Sequence, residues 1–254
     1  MSPRLYCPMP LHADALVELP STVAHHASRV LRLREGDAVI LFNGEGGEFD
    51  ARLARVAARA VSAEVGEHRA VERESPLDVT LLQGLAGAER MDYAIQKAVE
   101  MGVAGIVPVT MARSVTRLDA ARALKRAEHW RSVIVASCEQ CGRNRLPVLH
   151  PLCDFDAAIV PRGMLDSVAG SPSPIAALSL VLSPGEGDSL GAFDRPSGAI
   201  RLLIGPEGGL ALEELAAAQR AGFQTVRLGP RVLRTETAGV SMLAAMNALW
   251  GDWR

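Results

Sequence analysis

Two short words concentrate the groups that could do chemistry in this chain. Leu202–Leu210 reads LLIGPEGGL, an apolar run ending in a glycine-rich turn that carries one carboxylate, Glu207. Leu228–Gly239 reads LGPRVLRTETAG and brings Arg231, Arg234, Thr235, Glu236 and Thr237 together. Glycine lets the backbone approach a ligand closely, and proline fixes φ and removes a donor, so such turns offer amides and carbonyls in a rigid shape. A polyphosphate would want donors and positive charge where Pro206 and Glu207 stand, and neither G-K-[ST] nor G-x-G-x-x-G occurs, which argues against a P-loop and a dinucleotide site. A third turn of the same kind, Ser183-Pro184-Gly185, follows the apolar run LSLVL. One such turn is ordinary loop chemistry; three at successive strand ends point to a pocket for a neutral, hydrogen-bonding group such as an adenine. A capped helix start accounts for Glu236 and the threonines but leaves Arg231 and Arg234 unexplained.

Other candidate clusters are weaker. Cys138 and Cys141 form a C-x-x-C, but Cys7 and Cys153 are scattered, so neither a zinc site nor a disulfide framework is indicated, and buried structural cysteines are the plainer reading. No metal-ligand cluster is visible. Between residues 111 and 147 there are eight Lys and Arg against three Asp and Glu, on a chain whose net charge is -2. A solvated helix face explains such a run as readily as a phosphate-rich partner does, but its contrast with the acidic remainder favours the partner. His25, His26, Arg29, Arg32 and Arg34 make a smaller basic cluster near the N-terminus.

The elements that must carry these groups fall into two sets. The chain has 254 residues, 48% hydrophobic and only 4% aromatic, enough for one large domain or two small ones with an aliphatic core. Residues 1–70 read as a small, mostly β module: Ala38–Asn43 and Phe49–Val56 flank the turn NGEGGE as a hairpin, and Ala24–Leu33 reads as helical. Glu67–Pro76 (EHRAVERESP) is charged, lacks an apolar pattern and reads as a linker. In residues 71–254 strand candidates at 79–85, 105–110, 178–182, 201–204 and 224–228 alternate with helix candidates at 90–101, 120–137, 212–221 and 237–249. This is the pattern of an α/β fold with a mostly parallel sheet, whose ligands lie at the strands' C-terminal ends. The Ser/Pro/Gly-rich stretch at 162–176 reads as a surface insertion. No apolar run approaches a membrane span and MSPRLYCPMP has no signal core, so a soluble cytoplasmic protein is expected.

Taken in order, VLRLREGD, FNGEGGEFDARL, RMDYAIQKAVEMGV, ARSVTRL, CEQCGR, LLIGPEGGL and LGPRVLRTETAG resemble the ribosomal RNA small-subunit methyltransferase E family of the SPOUT superfamily. The matching words run from about residue 29 to 240. The resemblance implies an N-terminal PUA-like β-barrel that helps bind RNA, a C-terminal SPOUT α/β domain with a deep trefoil knot, and a homodimer. Periodicity does not suggest the knot, since general topology rules argue against knots. The resemblance further implies that S-adenosylmethionine is used to methylate N3 of a uridine in 16S rRNA on the small subunit, with no metal and no membrane.

Carried onto this chain, the resemblance implies a cofactor pocket built from Leu182, Leu203, Ile204, Gly205, Pro206, Glu207, Gly208, Gly209, Leu228, Gly229, Leu233, Arg234, Thr235 and Ala238. RNA contacts are expected from Arg29, Arg32, Arg34, Arg113, Arg117 and Arg143. N3 must lose its proton, so Arg234 is expected to stabilise charge on the uracil carbonyls, and Glu236 or Glu207 to accept the proton. This chain departs from the family at Ala86-Gly87-Ala88, where a lysine is common, and at Leu210-Ala211, which replaces Phe-Ser and loses a side-chain cap. Two other readings keep the α/β domain: a small-molecule enzyme using NAD or ATP, which leaves the β module and basic stretch idle, and a non-catalytic RNA-binding protein.

Overall fold

The computed structural model describes residues 2–57, 60–160, 178–185 and 187–253, which form two compact units. The first comprises Met1–Glu74 and Val135–Leu146; the second comprises Ser75–Ile134 and Pro147–Arg254. The expected insertion at 162–176 lies outside the described residues.

The first unit begins with β1 (Arg4–Tyr6), β2 (Leu16–Glu18) and α1 (Ser21–His25), which runs on as a π-turn over His26–Val30. The helix expected over Ala24–Leu33 therefore starts and ends three residues earlier; Arg32, at a φ of 53°, prevents its continuation. β3 (Ala38–Phe42), β4 (Glu48–Val56) and β5 (Val61–Arg69) complete a five-stranded sheet in the order β1-β3-β4-β5-β2. β3 and β4 pair antiparallel as a hairpin across a turn in which Gly44, Gly46 and Gly47 all take positive φ. Period-two alternation turns Phe49, Ala51 and Leu53 of β4 and Val61, Ala63 and Val65 of β5 into one core with Leu5, Val39 and Leu41.

The charged stretch after β5 is not the free linker its composition suggested. Its charges find partners far along the chain: Arg73 reaches Glu48 at 3.0 Å, Glu74 takes Arg143 at 2.6 Å, and Glu72 lies 3.4 Å from Arg145. Glu48 is shielded from solvent and also accepts from Arg4 and Arg69. Burial alone would raise its pKa, but the Arg73 and Arg4 guanidiniums hold it at about 2. Arg143 thus faces inward, 5% exposed, and the expectation that it touches RNA is corrected: its surface is spent on Glu74.

The second unit continues with β6 (Val79–Gly84), α2 (Ala88–Glu100), β7 (Gly105–Thr110) and α3 (Ala120–Cys141), whose last turns belong to the first unit. Short strands β8 (Val148–Leu149) and β9 (Cys153–Asp154) and helix α4 (Phe155–Ile159) follow. Then come β10 (Leu178–Leu182), β11 (Asp188–Ser189), β12 (Ile200–Ile204), α5 (Leu212–Arg220), β13 (Gln224–Arg227) and α6 (Thr235–Leu249). The sheet is parallel throughout, in the order β11-β13-β10-β12-β6-β7-β8, with β9 also on β7. β6 and β12 are buried along their whole length, as central parallel strands covered on both faces must be.

This order explains the three matching turns. β13, β10 and β12 are neighbours and parallel, with Leu182 opposite Val226 and Val181 opposite Leu203, so their C-terminal ends open on one side of the sheet. α6 then packs on β6, β12 and α2.

Cys138 lies on α3, an interior helical position rather than the strand-to-helix turn a redox pair would use. Burial pushes the Cys7 and Cys138 thiols up to about 12, which keeps them neutral and unreactive. Among the described residues no disulfide forms.

Candidate cofactor pocket

The three turns enclose a cavity of about 630 Å³. Apolar walls come from Leu182, Ile204, Leu210, Leu228 and Leu233, and the rim carries Arg113, Arg231 and Arg234. That volume lies within the range of small-molecule and cofactor sites, which combine apolar lining with few fixed polar groups. Of the residues expected to form the pocket, all but Leu203 line this cavity. Leu203 is fully buried behind it, packed in the cluster that contains Leu82, Val107 and Phe223.

The GPEGG turn is fixed from below. Gln83, fully buried near the end of β6, donates from Nε2 to Thr235 Oγ1 at 2.8 Å, and Thr235 donates on to the Gly205 carbonyl at 2.6 Å. A side-chain relay therefore ties β6, the GPEGG turn and the first residue of α6 together. At Gly84 the turn comes so close that a Cβ would lie 2.5 Å from Pro206 N and 2.8 Å from the Gly205 carbonyl carbon. Both are backbone atoms, so the loop itself would have to move. Gly84→Ala should weaken binding of S-adenosylhomocysteine by about 10- to 100-fold, from an overpacking cost of about 1–3 kcal/mol. Isothermal calorimetry checks this, and an unchanged affinity would mean the loop is not seated as described.

Glu207 leaves the turn in the opposite direction. Its Oε1 accepts the Gly87 amide at 2.8 Å and Arg90 Nη1 at 2.8 Å. Gly87 is the N-cap of α2 and has no side chain, so Glu207 supplies that helix's cap from another part of the chain. Burial would raise the Glu207 pKa, but the Gly87 amide and Arg90 outweigh it and hold the group below the usual carboxylate range. Arg90 Nε also lies 3.8 Å from Glu236 Oε1.

The opposite rim is set by Glu214, in the first turn of α5. Its two oxygens accept the Ala211 amide at 2.9 Å and the Ala112 amide at 2.7 Å. The first contact is the half of a capping box that needs no side chain on Ala211: the carboxylate in the first turn accepts the N-cap amide. The second holds the turn after β7, where Arg113 donates to the Gly208 carbonyl at 3.2 Å. Gly208 is needed there, since a Cβ would meet Arg113 Cβ at 2.8 Å.

Arg234 stands at the N-cap of α6 with its side chain exposed at the cavity mouth. Arg117 is exposed but does not line the cavity, and Arg29, Arg32 and Arg34 are exposed on the first unit. Sequence reasoning missed Arg90, Gln83 and Glu214. Arg90 had a signal, the RMD word itself; the other two read as an ordinary strand and helix residue. Among the described residues no group of three His, Cys, Asp or Glu side chains could hold a metal, and no helix is long and apolar enough to cross a membrane.

The chain has a parallel α/β unit with a pocket at its strand ends and a small β unit, and the families that match these two parts are those of RNA methyltransferases with an accessory PUA domain. Residues 73–247 match the RNA methyltransferase domain family and residues 19–66 match the RNA methyltransferase PUA domain family. Ribosomal RNA small subunit methyltransferase E of Bacillus subtilis is 32% identical over 88% of this chain and 86% of its own, and that of Mycobacterium tuberculosis 33% over 90% and 84%. Among solved structures, ribosomal RNA small subunit methyltransferase E of Neisseria gonorrhoeae, bound to S-adenosyl methionine, superposes with a TM-score of 0.89 at 37% identity over 100% of both chains. A putative methyltransferase of Legionella pneumophila with bound SAM gives 0.91 at 34% identity over 99% of both. The chain belongs to the ribosomal RNA small subunit methyltransferase E family.

Proposed function

We propose that the protein uses S-adenosylmethionine to methylate N3 of a uridine in 16S rRNA of the small ribosomal subunit. The observation that carries this reading is the joining of the GPEGG and LRTETA words into one cavity with apolar walls. Such a cavity fits an adenosine with a charged sulfonium. Amides and carbonyls around Gly205, Leu228 and Leu233 suit the base and ribose. Calorimetry with S-adenosylhomocysteine, NAD and ATP tests it: only the first should bind, and tight binding of NAD or ATP instead would sink it.

When bound, S-adenosylmethionine supplies an electrophilic methyl group. The chain's own residues must then orient the uracil, stabilise charge on its carbonyls and take up the N3 proton. Arg234, always charged and a strong donor, is placed at the cavity mouth to hold a uracil carbonyl. A carboxylate of the same wall, Glu207 or Glu236, takes the proton. N3 lies on the Watson–Crick edge, so the uridine reaches the pocket unpaired.

RNA is held by shape and phosphate contacts rather than by base-pair reading. Arg113 at the pocket, the exposed Arg117 four residues further on, and Arg29, Arg32 and Arg34 on the first unit, residues 1–70 in the main, serve that purpose. The protein works as a cytoplasmic homodimer. Tyr93 of α2 and Leu249 and Trp253 at the end of α6 are exposed apolar groups suited to a second copy. The return of the chain from β13 to α6, packed in the middle of the sheet, is compatible with the family's trefoil knot.

A further inference from the structure

Glu207 and Glu236 line the same cavity and flank the same guanidinium, yet their surroundings differ. Glu207 Oε1 already accepts two donors and caps α2, so its charge is committed to the loop and helix it holds. Glu236 has no such commitment. The Oε2 atoms of both carboxylates are shielded from solvent without a partner among the described residues, so the difference lies at Oε1: that of Glu236 is 3.8 Å from Arg90 Nε, beyond hydrogen-bond reach, whereas that of Glu207 takes two donors. A carboxylate with no hydrogen-bond donor on either oxygen can take one from a bound ligand, whereas Glu207 Oε1 would first have to give up the Gly87 amide or Arg90. Glu236 also stands in the first turn of α6, two residues after Arg234, so one helix start brings a donor and an acceptor to the same ligand.

We propose that Glu236, not Glu207, accepts the uridine N3 proton, and that Arg90 is the positioning residue that turns its carboxylate toward the cavity. In this step the N3–H bond breaks, the proton forms an O–H bond on Glu236, and the electron pair stays on N3, spread over the two uracil carbonyls. Arg90 can hold its place because its other end is anchored: Nη1 is 2.8 Å from Glu207. Glu207 therefore acts at one remove, as the post to which Arg90 is tied. This assignment rests on the uridine-N3 reading above.

Single-turnover methylation of small subunits and S-adenosylhomocysteine affinity are measured for wild type, Glu236→Ala, Arg90→Ala, Arg90→Lys and the Glu236→Ala/Arg90→Ala double variant. Glu236→Ala should lose at least about 100-fold in rate, and added formate should restore about tenfold of it, as expected for a missing general base. Cofactor affinity should stay within about threefold, which shows that the variant is folded. Arg90→Ala should lose about tenfold, with Arg90→Lys recovering most of that. The double variant should be no slower than Glu236→Ala alone, because residues acting as a unit are not additive. An active Glu236→Ala, the absence of formate rescue, or multiplicative losses in the double variant would each overturn the assignment. If wild type neither binds S-adenosylhomocysteine nor methylates rRNA, the functional reading fails first and the assignment goes with it.

Discussion

Arg234→Ala should slow single-turnover methylation by about 10²–10³-fold, the usual loss when one preorganised donor to a developing negative charge is removed. Affinity for S-adenosylhomocysteine should fall far less, since the pocket's walls are made by backbone and apolar groups that this change leaves in place. The reasoning is geometric. Arg234 ends the loop that leaves β13 and begins α6, and its own carbonyl takes the Ala238 amide at 2.8 Å. Its backbone is thus fixed by the helix while its side chain remains exposed at the cavity mouth. Arg234→Lys should recover only part of the rate, because an ammonium lacks the planar fork that meets a carbonyl side-on. A rate near wild type for Arg234→Ala with RNA saturating would remove Arg234 from the chemistry.

The second large effect is on stability and arises in the first unit. Glu48→Ala should destabilise that unit by about 3–5 kcal/mol, the range for taking one partner from a buried ion pair. Arg4 is the reason. It is as buried as Glu48, with 7% of its side chain exposed, and it would keep its charge without the carboxylate that balances it. Arg69 and Arg73 are 40% and 44% exposed and can turn to water, so their share is small. Hydrogen exchange at β4 and β5 amides reads the effect directly, and a loss under about 1 kcal/mol would mean that the cluster is ornamental. The pH dependence has a definite sign. A carboxyl held at about 2 when folded against 4.5 ordinarily contributes stability that is complete above 4.5 and disappears as pH falls towards 2. Wild type should therefore lose protection in β4 and β5 over that window, and Glu48→Ala should lose less across it.

These cases also show where the sequence could be read and where it could not. The parallel sheet, the hairpin around NGEGG and the three pocket turns were legible because each depends on neighbours within a dozen residues: apolar runs, glycines and prolines. Arg143 was misread for the opposite reason. In a basic run it looks like an RNA contact, and only its partner Glu74, 69 residues away, turns it inward. The charged stretch after β5 looked like a linker because ion pairing leaves no periodicity. Glu207 belongs to the same class, since its partners Gly87 and Arg90 lie 120 and 117 residues earlier. Gln83 and Glu214 were invisible because their types are common in strands and helices: the role of Gln83 exists only once β6, β12 and α6 are assembled, and that of Glu214 only once α5 meets the turn after β7.

The structure also changes how RNA recognition should be tested. Removing residues 1–70 would strip the first unit of all its strands while leaving Val135–Leu146, which belongs to it, without a core. Charge substitutions at Arg29, Arg32 and Arg34 on the intact chain are the cleaner probe.

The most direct measurement is mass mapping of 16S rRNA. Small subunits from a strain lacking its own enzyme of this family are incubated with the protein and methyl-labelled S-adenosylmethionine, and the rRNA is digested and sequenced by mass spectrometry. The account predicts one labelled site, a uridine methylated at N3. Label on another base or atom, or none at all from protein that binds S-adenosylhomocysteine, would contradict it.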